Sequence, residues 1–115
     1  MPAPSAAALD RVFAALADPT RRAILTRLKR GEARVGDIAA PFDMSLAAVS
    51  KHLDVLERAG LVRRLPVGRE RRCRLDARPL RAAADWTQAY REFWEGRLDA
   101  LEAFLERGEP KDGKR

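Results

Sequence analysis

The chain has 115 residues, 46% of them hydrophobic, so it is long enough for one domain with a packed core and too short for two comfortable ones. Its 23 lysines and arginines outnumber its 17 acids, which gives a net charge of +6 and a sequence pI near 10.4. This composition argues against wholesale disorder and favours a polyanionic partner, without saying which one.

Membrane and export signals are missing from the sequence. No apolar run approaches the roughly 18 residues of a membrane span, and the first residues lack the basic-then-apolar plan of a secretory signal. The single cysteine, Cys73, has no partner for an internal disulfide and suits a reducing compartment. We therefore expect a cytoplasmic protein that binds no membrane.

Two helices are predicted before residue 31. The first covers about residues 6–17, where one apolar face contains Leu9, Val12, Phe13 and Leu16. The second starts at Asp18, a good N-cap, and Pro19, which fits the first helical position because its missing N–H costs nothing there. Its buried side is expected to be Ile24, Leu25 and Leu28, and Gly31 ends it.

A helix-turn-helix pattern follows. A short third helix, with Val35, Ile38, Ala39 and Phe42 as its apolar positions, should be cut off by Pro41. The next helix, at about residues 45–58, is capped by Ser45, is stopped before Gly60, and has an apolar stripe of Leu46, Val49, Leu53 and Leu56.

With that stripe turned inward, the helix at 45–58 presents short or cationic side chains to the outside. Such side chains allow close approach to a polyanion, so this helix is interpreted as a recognition helix that enters the major groove of DNA. Its candidate DNA-binding residues are Ser45, Ala47, Ala48, Ser50, Lys51 and His52. Which of them read bases rather than phosphates is left open.

After Gly60 the hydrophobic period becomes two, which predicts two short strands within about residues 61–76. Gly68 can adopt the positive φ of the hairpin turn. From residue 58 to 74 there are seven arginines and one acid, Glu70. Such a basic hairpin is typical of a DNA-binding wing, with phosphate or minor-groove contacts expected from Arg69, Arg71 and Arg72. The remaining wing arginines, some of which could pair with acids of the protein itself, are Arg63, Arg64 and Arg74.

One long helix, roughly 40 Å in length, is predicted from about residue 79 to 107. Its apolar positions continue to the far end and include both tryptophans and the only tyrosine. Exposed aromatic surface of this extent is costly, so we expect a second copy of the chain to cover it, with helix one completing the interface. The expected dimer interface is Leu9, Val12, Phe13, Trp86, Tyr90, Phe93, Trp94, Leu98, Leu101 and Leu105. Some of the aromatics could instead line a small cavity between subunits, and residues 108–115 are expected to be a disordered tail.

Three ordered segments, residues 15–25, 49–56 and 59–62, resemble the ArsR-type winged helix-turn-helix transcriptional regulators. The similarity is strong over about residues 9–76 and looser over the last helix. It implies homodimeric, operator-binding repressors whose first and last helices form the interface. The expected fold is mainly α with a small β-hairpin: a winged helix-turn-helix with four N-terminal helices, a two-stranded wing and a long C-terminal dimerisation helix, in one domain over residues 1–107.

The chain departs from the metal sensors of that family. Their thiol site lies in the helix before the recognition helix, where residues 35–39 contain no cysteine, and no histidine occurs from Pro79 onward. Cys73 and His52 are the only soft ligands in the sequence. We therefore expect no metal and no cofactor.

These features predict a sequence-specific transcriptional regulator, a homodimeric repressor that binds double-stranded DNA at an inverted repeat; a small-molecule effector is left open. One alternative is a winged-helix protein-interaction module, which would have little use for so basic a wing. Another is a redox-responsive regulator, because flanking arginines would lower the pKa of the Cys73 thiol, although core packing is the default for this residue. No phosphate loop, metal cluster or Ser-His-acid arrangement indicates an enzyme.

Overall fold

The computed structural model describes residues 5–108, which form a mainly helical chain with a small antiparallel sheet. This is the expected winged helix-turn-helix arrangement. The elements in chain order are α1 (Ala6–Leu16), α2 (Pro19–Leu28), β1 (Ala33–Arg34), α3 (Val35–Ala39), α4 (Leu46–Arg58), β2 (Val62–Val67), β3 (Glu70–Leu75), α5 (Arg78–Gln88) and α6 (Arg91–Gly108). Most of the predicted disordered tail lies outside the described residues.

Side-chain caps set the starts of helices α1, α2 and α4. The Asp18 carboxylate accepts a hydrogen bond from the Arg21 amide at 3.0 Å, and the Ser45 hydroxyl accepts one from the Ala48 amide at 3.1 Å. Both caps were predicted, since these side chains satisfy N–H groups that have no partner within the helix. Ser5 caps α1 in the same way, which was not predicted from the sequence.

The described residues up to Ala83 form one compact unit around a continuous hydrophobic core. Residues Val49, Leu53 and Leu56 of α4 are fully buried, as predicted. Leu46 is 57% exposed, so its assignment to the buried stripe was wrong: it lies in the first turn of α4, beyond the reach of the core. The core consists of Val12, Ala15, Ile24, Leu25, Leu28, Ala33, Ile38, Val49, Leu53, Leu56, Ala59, Leu61, Val62, Cys73 and Ala83.

The apolar face of helix α1 packs mainly against the core of this unit. Val12, expected at the dimer interface, is 3% exposed and belongs to the core, so it has little surface left for a second copy. Leu9 and Phe13 are half-buried and pack against the same core. The correction has a simple cause, because an apolar stripe at helical spacing does not state which partner covers it.

The wing contains a strand that the sequence did not reveal. Strands β2 and β3 form the predicted hairpin, in which Val62 pairs with Leu75 and the turn residue Gly68 has a φ of 64°. Strand β1 pairs with the other edge of β3, and Ala33 lies opposite Cys73. The sheet order is therefore β1-β3-β2 rather than two strands. A two-residue strand is too short to show a periodic pattern.

The predicted continuous helix at residues 79–107 is two helices. Helix α5 ends in a tight turn, in which the Tyr90 amide donates to the Thr87 carbonyl at 3.0 Å and the Thr87 hydroxyl donates to the Ala84 carbonyl at 3.0 Å. A threonine hydroxyl bonded back to the preceding turn often bends a helix. No glycine or proline marks this position, and the glycine of this region, Gly96, lies within α6.

The described residues from Ala84 to Gly108 belong to a second compact unit. Within it, the Trp86 and Tyr90 rings lie 5.2 Å apart between centroids, and the Arg97 guanidinium lies 4.6 Å from the centre of the Phe93 ring. No helix in the described part of the chain is both long and apolar enough to cross a membrane.

Candidate nucleic-acid interface

The outward face of α4 is the first part of the candidate interface. Ser45, Ala47 and Lys51 are exposed, whereas Ala48 and Ser50 are half-buried. No acid lies within ion-pair distance of the Lys51 ammonium among residues 5–108, so its charge is available to a ligand. The face is narrow, because small side chains flank a single cation, and it would let the helix backbone approach a groove closely.

His52 is held by the neighbouring helices. The Arg21 guanidinium lies 3.2 Å from Nδ1 of His52, and Arg21 also donates to the carbonyls of Ala14 at 3.0 Å and Ala15 at 2.9 Å. Because a guanidinium only donates, Nδ1 must accept, and the proton of the neutral imidazole is on Nε2. An Asp18 oxygen lies 3.9 Å from the same ring nitrogen. His52 thus serves the helical scaffold as well as the outward face, a link that the sequence did not reveal.

The arginines of the wing fall into two groups. Arg69, Arg71 and Arg74 are exposed and have no ion pair with any described residue. Arg72 is half-buried and pairs with Glu70 at 3.4 Å. By its position Arg74 is therefore better suited than Arg72 to a phosphate contact, although the sequence favoured Arg72.

The single acid of the wing tip has two cationic partners. Glu70 accepts a hydrogen bond from Arg34 at 2.9 Å, in addition to its pairing with Arg72. The hydrogen bonds that Arg34 donates to Glu70 and, with less effect, to Asp37 raise the pKa of its guanidinium. These pairs are on the surface, so each contributes little to stability, but they fix which wing cations are already neutralised.

An open groove lies between the recognition helix and the wing. Its cavity volume is about 560 Å³, and it is lined by Val35, Leu46, Ala47, Ser50, Arg64 and Arg71. The exposed Leu46 is thereby explained as a wall of this groove. Arg71 borders the groove without an ion-pair partner, whereas Arg64 is committed to acids of α4.

The base of the wing is fixed by a second set of charges. Asp76 accepts hydrogen bonds from the Arg78 side chain at 2.9 and 2.6 Å, and the Arg63 Nε atom lies 3.6 Å from it. The hydrogen bonds from Arg78 lower the pKa of Asp76 to about 2. Asp76 is therefore ionised at neutral pH and joins β2 to the start of α5 through its two arginines. Pairing of Arg63 and Arg64 with the protein's own acids agrees with the doubt raised from sequence.

Cys73 is fully buried on β3. Burial raises the pKa of its thiol; Arg64 opposes that shift more weakly, and Glu57 adds to it. The expected lowering by the flanking Arg72 and Arg74 is wrong, because burial has the largest effect on the thiol and the one arginine that opposes it is Arg64. The argument for a redox role from a lowered thiol pKa therefore does not hold.

The charge of the molecule is divided between its two units. Residues 5–83 carry 17 lysines and arginines against 9 acids, a net charge of +8, whereas residues 84–108 carry 3 arginines against 6 acids, a net charge of −3. The basic charge is thus concentrated on the unit that contains α4 and the wing. Among residues 5–108 no three side chains of His, Cys, Asp or Glu are grouped so as to hold a metal ion.

The second unit has a different surface, which is apolar. Eight large side chains of α5, α6 and the turn between them are between 48% and 61% exposed: Trp86, Tyr90, Phe93, Trp94, Leu98, Leu101, Phe104 and Leu105. Patches of this kind often mark interaction sites, and the dimer interface expected at all of these residues except Phe104 stays a prediction.

Comparison with known proteins agrees with this fold. Residues 16–64 match the family model described as a helix-turn-helix domain. The HTH-type transcriptional regulator Rv2034 of Mycobacterium tuberculosis is 45% identical over 85 residues, which are 70% of this chain and 79% of the relative. The crystal structure of the ArsR family transcriptional regulator RHA00566 is 44% identical with a TM-score of 0.73, and the match covers 82% of this chain and 97% of that one. The chain belongs to the ArsR family of transcriptional regulators.

Two further relatives of this ArsR-family chain bear on its function. The transcriptional repressor SdpR of Bacillus subtilis is 44% identical over 54 residues, 47% of this chain and 60% of the repressor. The solution structure of the homodimeric winged helix-turn-helix DNA-binding domain of Mb0332 from Mycobacterium bovis is 29% identical with a TM-score of 0.61, and covers 84% of this chain and 95% of that one. The ArsR-family chain is thus a DNA-binding transcription regulator and not an enzyme.

Proposed function

We propose that the chain is a homodimeric repressor that acts in the cytoplasm by binding an inverted-repeat operator. One observation carries the proposal: residues 5–83, with a net charge of +8, contain both α4 and the wing. Helix α4 is capped and has a face of small side chains, and the wing has arginines without an acid partner among the described residues. A repressor and a homodimeric DNA-binding domain among its relatives support the finer assignment.

The recognition helix α4 would supply the specific contacts. Lys51 can donate to base edges or phosphates, Ala47 and Ala48 can touch thymine methyl groups, and Ser50 can bond to either kind of acceptor. His52 would donate through Nε2, since its other ring nitrogen accepts from Arg21.

The wing would track the flanking backbone. Arg69 and Arg71 are the proposed phosphate or minor-groove contacts, because both are exposed and neither has an acid partner within the described chain. Neutralisation of phosphates releases counterions, so affinity should fall steeply as the salt concentration rises.

The second copy is proposed to cover the apolar face of α5 and α6. Trp94, Leu98, Leu101 and Leu105 follow one another at spacings of four, three and four, which is the spacing of a seam between paired helices. A two-fold dimer would present two α4 helices to successive major grooves, about 34–36 Å apart.

The proposal is tested first by selection from a random pool of DNA with the purified protein. The expected result is a two-fold symmetric site with half-sites one helical turn apart. On that site Lys51→Ala should weaken binding by about tenfold, within the usual range for a specific contact, while leaving dimerisation unchanged.

The matched control is Lys29→Ala, which removes the same charge from an exposed lysine at the end of α2, outside α4 and the wing. Recovery of no symmetric site would refute the operator model. Equal effects of the two substitutions would refute the assignment of α4 as the reading helix.

A further inference from the structure

Arg64 differs from the other arginines of the wing because its side chain is turned toward the recognition helix. Only 16% of the side chain is exposed. Its Nη2 atom donates to the Asp54 carboxylate at 2.7 Å and to the Ser50 carbonyl at 2.9 Å. Its Nε atom is buried, forms no hydrogen bond, and lies 3.8 Å from the Glu57 carboxylate. One residue of β2 therefore contacts α4 at Ser50, Asp54 and Glu57, whose spacings of four and three place them on one face of the helix.

The charges at this junction make Arg64 a poor ligand for DNA. Asp54 and Glu57 together place two negative charges beside one guanidinium. A phosphate would have to compete with both. By contrast, Arg71 borders the same groove and has no acid partner among the described residues. The two arginines thus have different tasks although both belong to the basic wing.

We propose that Arg64 is a positioning residue that locks the wing to the recognition helix, so that both elements meet DNA as one rigid surface. The proposal rests on the proposed function and deepens it. Val62 and Cys73 hold the base of the hairpin in the core, but its turn end is exposed, so an unlocked end would have to be ordered when DNA binds, at a cost in affinity. Charge-assisted hydrogen bonds from Arg64 remove that cost before binding, since they are already formed in the free protein.

The lock can be measured without DNA. In hydrogen exchange of the full chain, Arg64→Met should raise the exchange rates of wing amides by about tenfold, since hydrogen bonds to charged groups are lost, while core amides of α2 stay protected. Arg63→Met is the matched control, because Arg63 is the adjacent residue, is 59% exposed, and pairs with Asp76 instead of α4. Wing exchange unchanged in Arg64→Met would overturn the proposal.

A second variant covers the case in which Arg64→Met folds poorly. Asp54→Asn keeps Arg64 in place and removes the charge of its shortest partner, and Asp54 is 45% exposed, so the fold should tolerate the change. The same local rise in wing exchange is expected. A rise spread evenly over the whole chain in both variants would mean general destabilisation and would refute a specific lock.

DNA binding then separates positioning from direct contact. Each phosphate contact contributes about 0.9 to the slope of log affinity against log salt concentration. Arg64→Met should weaken operator binding by about tenfold without changing this slope, whereas Arg71→Met should reduce the slope by about one contact. A lower slope in Arg64→Met would identify Arg64 as a phosphate ligand and overturn the proposal.

The last measurement tests whether the effects of Arg64 and Arg71 on DNA affinity depend on each other. If Arg64 positions the wing, Arg71→Met should cost less affinity in the Arg64→Met background than in the parent, because the Arg71 contact is already impaired. Additive costs would count against positioning. Failure of the parent to bind any symmetric DNA would refute the proposed function alone, and the exchange measurements would still decide whether the lock exists.

Discussion

Leu98 offers the sharpest test of the proposed dimer. It lies in the middle of α6 and is 56% exposed in the single chain. Complete burial of a leucine contributes about 1.5–3 kcal/mol, so covering the exposed part contributes about 1 kcal/mol, most of which Leu98→Ala would remove. A two-fold interface contains the residue twice, so the loss is about 2 kcal/mol, or about a 30-fold increase in the dimer Kd.

Folding should not confound this measurement. Alanine has a higher helix propensity than leucine, and the position is not part of the core, so α6 should form as before. Sedimentation over a series of protein concentrations, without DNA, would give the dimer Kd. Leu46→Ala is the matched control, since Leu46 is 57% exposed and lies in the groove beside the wing.

The reasoning would be refuted by a Kd for Leu98→Ala within about threefold of the parent value, a change of less than about 0.7 kcal/mol. An equal change in Leu46→Ala would also refute it, because exposed apolar area rather than position on α6 would then determine association. A parent chain that sediments as a monomer at every concentration would remove the premise.

Two other perturbations test the fold and the charges at its base. Leu53 is 0% exposed at the centre of the core, so Leu53→Ala should lower the free energy of unfolding in urea by about 2–5 kcal/mol, against a change within about 0.5 kcal/mol for Leu46→Ala. Asp76 has a pKa of about 2 in the folded protein, below its ordinary 3.8. The stability that ionised Asp76 contributes is therefore present above about pH 4 and is lost as the pH falls toward 2. Between about pH 4 and pH 2, the free energy of unfolding of Asp76→Asn should therefore fall by about 1 kcal/mol less than that of the parent. Equal pH dependence of this free energy in the two proteins would show that the arginine pairs contribute nothing.

Much of the first unit could be predicted because its signals are local. The Asp18 and Ser45 caps depend on side chains adjacent to the bonds they satisfy, and the positive φ of Gly68 depends on the residue itself. The buried positions of α2 and α4 follow from the helical period. Leu46 is the exception, because the first turn of α4 extends beyond the core.

What the sequence could not predict depends on distant partners. The third strand, β1, exists because Ala33 pairs with Cys73, which is forty residues away. A two-residue segment has no sequence pattern from which this pairing could be predicted. The end of α5 depends on a back-bonded Thr87 rather than on a glycine or proline. The raised pKa of Cys73 and the pairing of Arg64 with Asp54 arise from burial and tertiary geometry, which a count of flanking arginines does not contain.

The contacts of Arg21 have a consequence for how the reading helix is held. One guanidinium occupies two carbonyls at the end of α1 and a ring nitrogen of α4, so a single side chain from α2 joins three helices. This is possible because its donors form a rigid planar fork, whereas a lysine ammonium on a flexible stem could not reach all three acceptors. The orientation of α4, the proposed recognition helix, therefore depends partly on Arg21, a side chain of another helix that is not among the proposed base contacts.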